Sequence, residues 1–372
     1  MDLLNSNLFT PWTDPESGVT SYILSKKVAP VQEAFYFVND SMSGDGRYLW
    51  FYCAFPPSGT AAQGRTLGVL DFQTGEVRHF PETQFNHASP YVDPATGWIY
   101  WGMGDSLWRR GPQPNECAER VGFIPADLIG SRHIERFATH LTRSADGKEF
   151  FVDAGFGLQF VFGTITIETG EYQFWQRFDR NYNHAQFSPT DPDLIVFSQE
   201  NHPDQVTGQT FRIENRMWLL RRGEAPRPVF ETPTVVTHEW WDRDGQHVWC
   251  IKGKQGTWRV NIATQAVEDL AWPKGAWHSH IHTSGQYVIG DTNMRFYRGC
   301  PSTVRFLNRE TGQDVRLVDN PEMPGLVGER YHIDPHPRFC GTEDFVVFTT
   351  TVRGEVDVAL TPVADLIERT SG

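Results

Sequence analysis

The sequence predicts an all-β chain folded as a single-domain seven-bladed β-propeller, and two observations predict it. First, one pattern recurs seven times: a polar or His-bearing approach, a tight turn, then a run of apolar and aromatic residues. The turn positions are Gly46, Gly97, Gly147, Asp193, Gly245, Gly285 and roughly Glu343, spaced by 51, 50, 46, 52, 40 and 58 residues. A period of about 40–50 residues with several short strands per unit is that of a propeller blade. Second, aromatic residues make up 13% of the chain, with 13 Trp and 26 Phe. Sheets packed face to face around an axis need wide, flat side chains between them. Length alone would divide 372 residues into roughly two or three domains. Seven units at this period take up nearly the whole chain, so residues 1–372 are read as one domain.

In chain order, the N-terminal segment GVTSYILSK is a candidate closing strand, because an open ring leaves two exposed edges. Each repeat then runs as two strands and a hairpin. Examples are TLGVLDFQTGEVRHF, GTITIETGEYQFWQRF, WRVNIATQAVEDLAW and TVRFLNRETGQDVRLVD. In these, alternating apolar residues flank TG or similar turn residues. The stretch Asn115–Ile134 is less regular, and its ADLIG reads as a short helical turn. Ser198–Asn215 interrupts the fourth repeat and Asn320–Gly328 precedes the seventh. Long insertions in compact repeats are usually binding loops. The last repeat ends with VDVALTPVADLIE.

Composition narrows the setting. The five cysteines are odd in number and form no CxxC pair, and Cys53 and Cys250 fall inside predicted strands as buried thiols. The N-terminus lacks a basic segment followed by an apolar one, and no apolar run is long enough for a bilayer. A soluble, reducing, cytoplasmic setting is expected, with no membrane partner. The net charge of −13 and the lack of a basic stripe argue against nucleic acid. An anionic ligand would then need local positive charge from a metal or an Arg.

The chemistry-bearing residues share a register. Seven positions before the turn stand His140, His238, His278 and His336, while His184 and His87 lie slightly further back in their repeats. The start of the innermost strand lines the channel mouth, so these residues converge. Two clusters are denser. WHSHIHTSG puts His278, His280 and His282 at alternate positions, on one face if extended, and YHIDPHPRF does the same for His332, Asp334 and His336. Mixed imidazole and carboxylate donors suit Mn, Fe, Zn or Ni better than Ca. Arg216 follows the fourth-repeat insertion, and Arg matches a carboxylate bidentately. Glu239 adjoins His238, but neighbours along a strand face opposite ways.

Several runs resemble the oligogalacturonate lyases, which are seven-bladed propellers. NHAQFSPTDPDLIVFSQENHPDQV…NRMWLL is similar to their central motif and VTHEWWDRDG to their HEFW-type motif. SHIHTSGQYVIGD is similar to the metal-blade motif and DPHPRF to the HPHP-type motif, with WTDPESGVTSYIL and FVVFTT also fitting. The resemblance implies β-elimination on a small anionic oligosaccharide, giving a 4,5-unsaturated uronate, with a divalent metal, foremost Mn2+. It implies His238 as base and Arg216 as its assistant. It implies His280 as metal ligand with His278 as the register alternative, and His336 beside it. Asp334 stands where the family has His, Tyr331 where it has Gln, and His332 is placed to compensate. Gln199, Glu200 and Asn201 replace the family's His-Glu-Gly. His184, His140, Glu200 and His87 are the candidate substrate contacts. The departures keep two rivals in view: a metal-dependent hydrolase or isomerase on another anionic sugar, and a non-catalytic propeller scaffold.

Overall fold

A computed structural model of the protein describes residues 7–87, 89–204, 206–292, 301–321 and 330–372. The described residues form seven antiparallel sheets in chain order, one per repeat, plus a small hairpin. Blade one, for example, runs Val31–Glu33, Tyr48–Ala54, Thr66–Asp71 and Glu76–Phe80 from the axis outward. Its second strand is buried along its whole length, because both faces are covered by neighbouring blades, and its fourth is mixed. Blade three has three named strands, and its inner edge is the irregular segment around His140, bridged as Arg143 to Phe150.

The expected closure is observed. Thr20–Leu24 pairs antiparallel with Asp357–Pro362, and a further strand, Phe9–Thr13, adds outside it, so blade seven has five strands drawn from both ends of the chain. Buried Asp14 receives Arg316 Nε and a terminal nitrogen at 3.0 Å each, tying this N-terminal hairpin to blade six. The ADLIG turn is a short helix, Ala126–Ile129. The chain end departs from the strand pattern: VADLIERT forms a helix, Val363–Thr370, whose Val363 and Leu366 pack under blades six and seven. The insertion in blade four folds as a hairpin of His202–Pro203 and Thr210–Phe211. The second proposed insertion, Asn320–Gly328, lies largely outside the described residues.

The core sits between blades. Trp50, Leu67 and Val69 of blade one meet Val92, Ile99 and Trp101 of blade two, and Phe151 and Phe162 of blade three meet Phe187 and Phe197 of blade four. Burying a side chain of this size is worth roughly 1.5–3 kcal/mol. Polar ties supplement the rings: Trp50 Nε1 donates to the Gly97 carbonyl at 2.9 Å and Trp241 Nε1 to the Gln186 carbonyl at 2.9 Å, each reaching a neighbouring blade. Cys53 and Cys250 are buried thiols whose pKa values burial pushes up. No helix among the described residues is long and apolar enough to cross a membrane.

Candidate active site

The turns explain the histidine register. In blade five the Asp242 amide donates to the His247 carbonyl, and the same five-residue span recurs at Ser43, Asp93, Ser144, His282 and Cys340. In blade four the span from Ser188 to Leu194 is one residue longer. Counted from the start of each turn, His184 therefore falls in register with His140, His238, His278 and His336. Blades one and two carry Asn39 and Ser89 at that position. His87 lies two residues earlier. Glu343 has the left-handed backbone of the glycine markers, φ 59°, so the seventh marker is a true turn residue.

The inner strands are bent where these residues sit. Register shifts interrupt the pairing between Asn183 and Gln186, between Thr237 and Trp240, and between Ala276 and Ser279. A bulge re-aims the side chain it carries. His87, His184, His238, His332 and His336 all have left-handed φ, between 46° and 61°. Such a backbone is uncommon outside glycine, and clusters of it mark functional sites.

The rings converge at one end of the channel. His238 and His278 lie 4.4 Å apart between centroids, and His278 and His336 4.5 Å apart. His140 and His184 are 5.1 Å apart. Tyr36 of blade one stands among them, stacked on His140 at 4.9 Å and edge-on to His336 at 4.8 Å.

One group has the donor set of a metal site. A ligand atom from each of His278, Asp334 and His336 lies within 4.8 Å of the other two, and all three residues are buried. His278 Nε2, His336 Nε2 and Asp334 Oδ1 are buried without a protein partner. Orphaned polar atoms are costly, and three that converge fit a divalent cation. Their other atoms are held. His278 Nδ1 is 2.9 Å from Asp291 Oδ2, which also accepts the His336 amide at 3.2 Å. Asp334 Oδ2 accepts from Trp277 Nε1 at 3.2 Å and lies 3.0 Å from His332 Nε2. A carboxylate behind a histidine sets its tautomer and orients it toward a metal. Burial, with neighbouring His278 and His332, holds the His336 pKa well below the usual range. Its imidazole is thus neutral, as ligation requires.

Two expected ligands lie elsewhere. His280 does not join the group: its ring faces Phe339 at 6.0 Å, and His282 faces the same Phe339. The shift between Ala276 and Ser279 breaks the alternation, so His278 leaves the face that His280 and His282 share. The register alternative, His278, is the residue in the cluster. His332 is half-exposed and serves as a partner of Asp334. Tyr331 is buried away from the group, its hydroxyl donating to the Ser58 carbonyl.

Arg216 and His238 occupy the adjoining sector. Arg216 is buried between two carboxylates, Nε to Glu239 Oε2 at 3.3 Å and a terminal nitrogen to Glu200. Glu239 thus faces away from its neighbour His238, as strand alternation predicts, and also accepts from Ser198. Burial, with His278 and Arg216 beside it, pushes the His238 pKa well below its usual value, and its Nδ1 has no partner. The result is a neutral imidazole with an unpartnered nitrogen. His184 is kept neutral chiefly by burial and by Arg216, and its Nδ1 lies 4.0 Å from Glu200. A cavity of about 250 Å3 opens beside this sector, lined by Tyr36, His140 and His184, and also by His87 and Arg65.

The sequence reading passed over Tyr36, Asp291 and Trp277. Asp291 carries a legible signal: an acidic residue ending an apolar strand, as in VIGD, needs a buried partner.

No family model matches the chain. Oligogalacturonate lyase of Dickeya dadantii (strain 3937) is 24% identical over 228 residues, 55% of either chain. Oligogalacturonide lyase of Pectobacterium atrosepticum is 25% identical over 226 residues, again 55% of each. The chain thus spans about half the length of the curated relatives it matches. Among solved structures, an oligogalacturonate lyase in complex with manganese superposes with a TM-score of 0.72 over 95% of this chain and 96% of that one, at 18% identity. Oligogalacturonate lyase from Vibrio parahaemolyticus gives 0.72 over the same shares, at 17% identity. The chain resembles the oligogalacturonate lyases. At these identities the structural likeness establishes the seven-bladed fold shared with the oligogalacturonate lyases, and the sequence match adds a divergent resemblance over half the chain.

Proposed function

We propose that the chain is a metal-dependent lyase that cleaves short oligogalacturonides, or closely related oligouronides, by β-elimination. The observation that carries this reading is one juxtaposition. The orphaned atoms of His278, Asp334 and His336 adjoin a neutral His238 with a free Nδ1, next to Arg216.

Elimination removes the proton α to a carboxylate that is already anionic, so the chemistry needs positive charge beside it. A divalent cation held by His278, Asp334 and His336, Mn2+ foremost, would polarise the substrate carboxylate and stabilise the enolate-like charge. Arg216 supplies fixed charge on the other side. Glu239 grips its inner edge, and Glu200, with a side chain 28% exposed, occupies the outer edge that a substrate carboxylate would take. His238 accepts the α-proton at Nδ1. The C5–H electron pair becomes the C4=C5 bond and the C4–O bond breaks. Tyr36 donates a proton to the departing oxygen: its hydroxyl has no hydrogen-bond partner among the described residues, and its ring lies within 5.6 Å of His140, His278 and His336. His140, His184 and His87 line the cavity that receives the sugar. A cytoplasmic enzyme of imported fragments is part of the same proposal. The cation and Arg216 would be the positive charges that meet an anionic substrate in a chain of net charge −13.

The test strips the protein with chelator, restores Mn2+, and follows the ultraviolet absorbance of unsaturated uronide from short galacturonides. His238→Ala should abolish turnover with metal content intact, and His336→Ala should deplete the metal. Products lacking a new double bond would replace this reading with the hydrolase or isomerase, and absence of bound metal with the scaffold.

A further inference from the structure

The cavity beside the reacting sector extends to blade one, where it meets a charge that the elimination does not use. Arg65 lines it together with Tyr52 and Ala62. The guanidinium lies over the Tyr52 ring at 4.3 Å and near Phe85 at 5.5 Å. That stacking holds it in place without using its donors. Its ion-pair partner is Glu33, reached by one terminal nitrogen at 3.4 Å. Arg65 Nε and Glu33 Oε1 are both buried without a partner. Arg carries five donors in a fork that matches a carboxylate, and here one long contact serves it. Glu33 also neutralises it incompletely: burial pushes the Glu33 carboxyl up to about 7, against the pull of Arg65.

An oligouronide carries one carboxylate on every sugar unit. If the reacting unit lies by His238 and Arg216, a neighbouring unit that extends past His184 and His336 enters this cavity and brings a second carboxylate into it. We propose that Arg65 recognises the carboxylate of the sugar unit next to the one that reacts. The site then has two carboxylate stations, Arg216 for the reacting unit and Arg65, in the adjoining cavity, for its neighbour. Selection for oligouronides over neutral or singly charged sugars follows. This rests on the lyase reading for the identity of the reacting unit.

The test compares digalacturonate with the same disaccharide whose non-reacting carboxyl is converted to an amide. Binding to the Mn2+-loaded protein is measured by calorimetry, and turnover separately by absorbance. Arg65→Gln should weaken digalacturonate binding about 10–100-fold, the range for a lost hydrogen bond to a charged group, and leave the amide unaffected. KM should rise in parallel with kcat unchanged. Arg65→Lys, which keeps the charge and the fold, should fall between the two on digalacturonate only. Equal weakening of both ligands, or none, overturns the Arg65 assignment. Selective weakening without turnover in the unaltered protein supports Arg65 and overturns the lyase reading. Failure of the unaltered protein to bind either ligand overturns both.

Discussion

Asp291→Asn should weaken metal binding without removing a single proposed ligand. Asp291 is fully buried, and both of its oxygens accept. Oδ1 receives the His278 amide at 2.7 Å; Oδ2 is 2.9 Å from His278 Nδ1 and receives the His336 amide at 3.2 Å. An amide has one acceptor oxygen, so its NH2 group must face at least one of these donors. The two backbone N–H groups cannot change, but the ring can. Imidazole relieves the clash by moving its proton from Nδ1 to Nε2, and Nε2 then loses the lone pair it would give a metal. Removal of such a partner lowers affinity about 10–100-fold, equivalent to about 1.4–2.7 kcal/mol. Calorimetric titration of chelator-stripped protein with Mn2+ at pH 7.5 measures it. His336→Ala should lose binding altogether, and Asp291→Asn should bind with the same stoichiometry but weaker. Unchanged affinity in Asp291→Asn would refute the argument that Asp291 sets the His278 tautomer. Unchanged affinity in both variants would remove the metal from this cluster.

Three other outcomes are expected. Burial, aided by Arg216, pushes the His140 pKa down to about 3, whereas the unfolded chain binds that proton near pH 6.5. Stability from keeping His140 neutral is therefore complete above pH 6.5 and is lost as the pH falls toward 3. At pH 5 the loss is about 2 kcal/mol, so denaturant melts of His140→Gln should lose about that much less between pH 7.5 and 5.0. Parallel losses would contradict it. Tyr36→Phe should cut kcat on galacturonides about 10²–10⁴-fold while sparing substrates whose leaving group needs no proton, and calorimetry should find its Mn2+ affinity unchanged. Gly68→Ala would put a methyl 2.5 Å from the buried Phe51 ring, costing about 1–3 kcal/mol in a thermal melt.

The ring of blades was legible because its cause is local. Each turn repeats a short polar signature before a strand that is buried on both faces, so spacing and apolar runs suffice. The closing strand at Thr20–Leu24 was legible for a related reason: a ring with free edges is unstable, and GVTSYILSK was the unassigned apolar run. Val363–Thr370 was harder, because VADLIERT follows a strand without a break, and its helical face is defined by packing under blades six and seven. His184 seemed displaced by two residues because the blade-four turn is one residue longer and Asp193 stands one place nearer its end than the glycine markers do to theirs. Strict alternation puts His278, His280 and His282 on one face and leaves the choice of His280 to the family resemblance; one bulge separates His278 from the other two. Bulges arise from the fit of a strand to its partner, which no single strand's sequence records.

The roles of the histidines were less legible than their positions, and the reason is chemical. His140, His184, His238, His278 and His336 share one register, and position alone makes them equivalent. What separates them is the partner of each ring's other nitrogen. His278 has a buried carboxylate behind Nδ1 and so presents Nε2 to the cluster. His140 Nδ1 meets Ser89 Oγ at 3.2 Å, a neutral contact from the neighbouring blade. His184 Nδ1 contacts its own neighbour Asn183 and faces the Arg216–Glu200 pair. His238 keeps Nδ1 free while its ring packs against Trp277 at 4.3 Å. The surroundings of each ring differ from blade to blade, so a ligand, a candidate base and two lining groups can arise from one repeated position. A propeller permits this because its register brings histidine to one place from five of the seven blades, and the adjoining strands then differentiate the copies.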